Sequence, residues 1–196
     1  GTGCNPPDLI IQDELHLLLI GRINTWKGQD FLLDALAKLP VLQRNNLQVR
    51  LVGSSFEGYE YLESELAKRI EQYNLQAQVV MIPFCSDPSD HYLWADYVVV
   101  PSTKPEPFGR VAVEAFSAGK PVIAANHGGL TEIVTDAVDG FLFTPCDNAA
   151  LTSLMSQLPK YASREYEILS SNARQCFKAR FSALTYQSNI VEFFKN

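Results

Sequence analysis

The chain has 196 residues, 46% of them hydrophobic and 19% charged, a length and balance that suit one compact unit with a buried core. A net charge of -6 without any basic run argues against binding along a nucleic-acid backbone. The longest apolar runs, such as residues 15–20, fall far short of the roughly 20 residues that span a bilayer, and no charged-then-apolar leader opens the sequence, so a soluble cytoplasmic protein is expected.

In chain order, residues 1–7 are small and proline-rich, and residues 1–14 are expected to be a linker from a preceding domain. The apolar run 15–20 reads as the first strand, followed by a helical pattern at 31–38 and a second strand at 47–52. A helix at 61–73, a strand at 78–82, a helix at 89–94 and a β-branched strand at 97–100 continue the alternation. Gly119 and Pro121 stop a helix over 111–118, and a strand at 122–125, a short helix at 130–135 and a weaker strand at 140–143 follow. Strands alternating with helices predict an α/β fold, a Rossmann-like doubly wound parallel sheet of about six strands with right-handed crossovers. Asp147 is positioned to cap a helix over 149–157, and extra C-terminal helices are expected at 164–178 and 184–194. Residues 15–180 then form the domain. Residues 181–196 carry Tyr186, Ile190, Phe193 and Phe194 at helical spacing, a stripe that either packs on the sheet or docks on a partner domain.

The cysteines Cys4, Cys85, Cys146 and Cys176 are widely spaced and form no paired ligand set, so free thiols are expected rather than zinc or disulfides. His16, His91 and His127 are equally scattered; only His127 stands before a Gly128-Gly129 turn at a strand end. In an open α/β sheet, ligands bind beyond the carboxyl ends of the strands. The loops expected there are residues 21–28, 53–55, 104–109 and 126–129. Arg22 and Lys27 flank glycines in the first loop, and a guanidinium fork with an ammonium suits a diphosphate. Alone they also fit a solvated loop. Opposite them, a helix starting after Gly109 would present free N–H groups and a positive dipole end to an anion. Glu106 and Glu114 bracket that helix start, and two carboxylates at one mouth invite an acid–base reading.

Gly-Arg with Lys-Gly at residues 21–28, Glu-Pro-Phe-Gly at 106–109 with Glu114 eight positions after Glu106, Gly119-Lys120-Pro121-Val122, Gly128-Gly129 with Glu132-Ile133-Val134, and Asp139-Gly140-Phe141-Leu142 occur in that order. This set resembles the nucleotide-sugar-binding, C-terminal half of retaining glycosyltransferases of family 4, which have a two-domain B fold. The resemblance implies that Arg22 and Lys27 hold the donor diphosphate and stabilise the departing nucleotide, and that Glu106 contacts donor-sugar hydroxyls; these three are the expected catalytic residues. It implies that Glu114 holds the ribose, that the backbone of Phe108 and Gly109 approaches sugar and phosphate, and that Gly21, His127, Gly128 and Gly129 complete the donor site. The base is expected near Gly53 and Phe84, where Cys85 replaces a glycine found in many relatives.

The expected activity is hexosyl transfer from a nucleoside diphosphate sugar to an acceptor hydroxyl, in glycan or polysaccharide biosynthesis, with no cofactor and no metal. The expected partners are the donor and an N-terminal acceptor domain, without nucleic acid; any peripheral membrane contact would fall to that other half. The chain alone is then expected to bind donor and scarcely transfer it. The alternatives are a non-catalytic nucleotide-sugar-binding module and a B-fold nucleotide-sugar epimerase.

Overall fold

The computed structural model describes residues 14–182; the expected linker, most of its 1–14 span, and the helix at 184–194 lie outside the described residues. Six strands, β1 (Leu15–Ile20), β2 (Leu47–Val52), β3 (Val79–Ile82), β4 (Tyr97–Val100), β5 (Val122–Ala125) and β6 (Gly140–Phe143), form one sheet. Every pairing is parallel. The helices are α1 (Gln29–Lys38), α2 (Val41–Arg44), α3 (Tyr61–Gln72), α4 (Ser89–Trp94), α5 (Arg110–Ser117), α6 (Leu130–Ile133), α7 (Asn148–Met155) and α8 (Arg164–Arg180). Each strand expected from the sequence forms within a residue of its expected bounds. The four-residue helix α2 was not expected; it follows Pro40, which cannot donate from its backbone but is suited to a helix start. The expected cap on α7 forms, with the Asp147 side chain accepting from the Ala150 N–H.

The strand order is β3-β2-β1-β4-β5-β6. The chain builds outward from β1 to β3, then returns across the sheet to add β4 on the other side of β1. That reversal leaves a crevice between the carboxyl ends of β1 and β4, the place where open α/β sheets bind ligands. Both faces are covered, which explains why the central strands read as continuous apolar runs rather than alternating ones. Side chains still alternate by face: Tyr97, Val99 and Ile123 join a core with α1, α3 and α7, while Val98, Val100 and Ala124 join another with α5 and α6. Helix α8 is fastened at the opposite end of the sheet, where Tyr166 donates to the Asp96 carbonyl and its ring meets Tyr97 edge to face at 5.4 Å.

Phe116 lies fully buried in the second core, on the helix that carries the crevice wall. Phe116→Ala is therefore expected to lower unfolding stability by about 3–5 kcal/mol, the usual cost of an aromatic cavity, in urea titrations followed by circular dichroism; a loss below about 1 kcal/mol would contradict this packing.

Candidate donor-binding site

The loop after β1 is shaped by its own side chains. Asn24 Oδ1 accepts from the backbone N–H of Trp26 at 3.0 Å and of Lys27 at 2.8 Å, a turn that directs Lys27 toward the crevice. Buried Gln29 donates from Nε2 to the Arg22 carbonyl at 3.0 Å, and the exposed Arg22 guanidinium stacks 3.4 Å from the ring centre of Phe56. Beside it, Gly53 at the end of β2 has φ 150°, and a Cβ there would collide with the Gly21 carbonyl. The first two loops can therefore lie against each other only with glycine at this point.

Across the crevice, the loop after β4 delivers Glu106. Its carboxylate is buried, and Lys27 Nζ approaches Oε1 at 2.5 Å. Ser102 Oγ donates to the same oxygen at 2.6 Å. The ion pair thus joins residues 79 positions apart in sequence, and the Thr103 N–H adds a second tie to the Trp26 carbonyl at 2.8 Å. With two donors fixed on it, this carboxylate is a hydrogen-bond acceptor rather than a free base.

Gly109, with φ 60°, precedes α5, and Gly109, Arg110 and Val111 at the start of that helix line the crevice, where first-turn N–H groups lack an intrahelical acceptor. Glu114, half a helix further on, is half-buried; its Oε2 accepts from the hydroxyl of buried Tyr92 at 2.7 Å, and its Oε1 lies 3.6 Å from the exposed Arg110. Burial holds the Tyr92 phenol well above its ordinary pKa, so it remains a proton donor. At the far end, Phe84 donates its N–H to Ser54 Oγ at 3.0 Å and exposes its ring.

These loops enclose a cavity of about 770 Å³, within the range of small-molecule sites. Gly21, Arg22, Lys27, Gly53, Phe84, Glu106, Phe108, Gly109 and Glu114 all line it, together with Cys85. His127, Gly128 and Gly129 do not. A carbonyl oxygen only accepts, so His127 donates from Nε2 to the Ser102 carbonyl at 2.8 Å, behind the Glu106 loop. Gly129 donates its N–H to the Glu106 carbonyl at 2.7 Å. Gly128 has φ 60°, and a Cβ on it would come within 2.6 Å of that same oxygen. These three residues brace the Glu106 loop from outside the cavity. The sequence reading passed over Tyr92, Ser102 and Phe56, which touch the expected residues; Tyr92 reads as an ordinary core aromatic, and nothing local marks its reach to Glu114. Among the described residues, no three His, Cys, Asp or Glu side chains gather as a metal site, and no helix is long and apolar enough to cross a membrane.

An uncharacterized glycosyltransferase of Methanocaldococcus jannaschii is 31% identical over 93% of this chain and 45% of its own length. The chain spans about half the length of such curated relatives. Among solved structures, HepE of Anabaena in complex with UDP-glucose is similar at 34% identity and a TM-score of 0.82, covering 93% of this chain and 49% of that one. The C-terminal domain of a glycosyl transferase group 1 family protein from Francisella tularensis, 23% identical, shares the fold with a TM-score of 0.76 over 86% of this chain and 87% of that domain. The family model described as glycosyl transferases group 1 matches residues 6–176, and the chain belongs to that family as its C-terminal, Rossmann-like domain.

Proposed function

We propose that this chain is the donor-binding half of a retaining glycosyltransferase of family 4, which moves a hexosyl group from a nucleoside diphosphate sugar to an acceptor hydroxyl. The observation that carries this reading is the meeting of Arg22, Lys27, Glu106 and the start of α5 around one cavity at the point where strand order reverses. Similarity to HepE, solved with UDP-glucose, supports uracil as the base and glucose or a related hexose as the sugar.

In this reading the uracil lies between Gly53 and Phe84, with Cys85 in the wall, and the ribose hydroxyls donate to Glu114. The diphosphate sits between Arg22 and Lys27 and the N–H groups that begin α5, where helix dipole and side-chain cations act together. The sugar reaches Glu106. Lys27 is already committed to Glu106 Oε1, so on donor binding its ammonium is shared between that carboxylate and a phosphate oxygen. The bond between the anomeric carbon and the diphosphate oxygen breaks, and the acceptor oxygen bonds to the same face of that carbon. The acceptor proton passes to the departing phosphate oxygen. Arg22, Lys27 and the helix start neutralise charge that grows on the leaving group, which lowers the barrier because the stabilisation increases toward the transition state. The acceptor and its site belong to a second domain, so the chain by itself binds donor without efficient transfer.

Calorimetry of the 196-residue chain is expected to show binding of UDP. Arg22→Ala and Lys27→Ala should each weaken it about tenfold or more, the scale of a lost charge-assisted hydrogen bond. No binding of UDP, or unchanged affinity in both variants, would contradict the assignment. Since the cations are supplied by side chains, UDP affinity is also expected to be the same in EDTA as in magnesium; a requirement for the metal would overturn that part of the proposal.

A further inference from the structure

Tyr92 belongs to no motif used above, yet its hydroxyl bonds a carboxylate in the cavity wall. The residue is 5% exposed and packs in the core that includes Leu18, Val98, Ala115 and Phe116, so its position is set by tightly packed neighbours. Its hydroxyl reaches out of that core to Glu114 Oε2 at 2.7 Å. Glu114, by contrast, has a side chain 42% exposed, long enough to sample several rotamers if nothing held it. Arg110 is a poor holder: it stands 3.6 Å from Oε1 and is 84% exposed, so water competes for both groups. Because burial keeps the phenol protonated, donation runs one way, from Tyr92 to the carboxylate.

We infer that Tyr92 is the positioning residue for the nucleotide ribose: its hydroxyl locks the Glu114 carboxylate through Oε2, leaving Oε1 preset to accept from the vicinal ribose hydroxyls. This rests on the reading of the cavity as a nucleoside diphosphate site. The gain is preorganisation, since Glu114 then loses little rotamer freedom when the ribose arrives. A core tyrosine that merely satisfied its own hydroxyl would support the fold and have no bearing on which ligand hydroxyls are recognised.

Tyr92→Phe keeps the ring and removes only the donor, and the half-exposed Glu114 can be solvated in its place, so the variant is expected to fold with nearly unchanged thermal stability. The test measures affinity of the wild-type chain and of Tyr92→Phe for UDP and for 2′,3′-dideoxyuridine 5′-diphosphate. The expected result is a loss of about tenfold for UDP and equal affinities of the two proteins for the dideoxy ligand. An equal loss for both ligands would reduce Tyr92 to a structural role and overturn the inference, as would no loss for either. If the wild type binds UDP and Arg22→Ala weakens it while Tyr92→Phe does not, the inference alone fails. If the wild type does not bind UDP, the proposed function fails and this inference with it.

Discussion

Lys27 and Glu106 meet across the crevice where the sheet changes direction, and the cavity takes its shape from that contact. Their side chains are 20% and 9% exposed, so each loses much of its hydration and is tolerated there because the other neutralises it. A parallel sheet in the order β3-β2-β1-β4-β5-β6 puts β1 beside β4 although they are far apart in sequence. The loops that leave these two strands consequently face each other, one bringing the cation and the other the carboxylate. Ser102 supplies the remaining donor to Glu106 Oε1, so the carboxylate is both charge-balanced and hydrogen-bonded.

The Glu106 loop is held from two sides. Lys27 holds its side chain, and the Gly128-Gly129 turn holds its main chain through the Gly129 N–H. The clearance at Gly128 leaves no room for a side chain against the Glu106 backbone, which accounts for glycine here without appeal to a ligand. His127 completes the brace by donating to the Ser102 carbonyl, the residue whose hydroxyl bonds Glu106. A run of residues that looks in sequence like a second wall of the site therefore lies behind the Glu106 loop and contacts its backbone. The paired glutamates differ in kind as well. Glu106 is buried within a set of donors, whereas Glu114 is half-exposed on a helix and held by one phenol.

Strand positions were legible because buried parallel strands need apolar residues on both faces, and the runs at 15–20 and 97–100 announce this directly. Helix ends were less so: α1 begins at Gln29, two residues before the apolar pattern does, since Gln29 is buried for its bond to the Arg22 carbonyl rather than for hydrophobicity. Strand order was not legible, because it depends on which edges pair, and pairing leaves no local mark in a run such as Val98-Val99-Val100. For the site, glycines and charges at strand ends singled out Arg22, Lys27, Glu106 and Glu114. The bonds that orient them, from Asn24, Ser102 and Tyr92, link loops and helices through side chains whose residue types are common everywhere. Contacts of that sort become visible only once the chain is folded.

In the proposed function a nucleoside diphosphate lies along the crevice from Phe84 to Lys27, with its phosphates toward the Lys27–Glu106 contact. A crystal structure of the chain with UDP tests it directly. Phosphate oxygens are expected within hydrogen-bonding distance of Arg22, Lys27 and the first N–H groups of α5, with the ribose hydroxyls on Glu114. UDP bound away from this cavity, or bound in it with the ribose remote from Glu114 and the phosphates remote from Arg22 and Lys27, would contradict it.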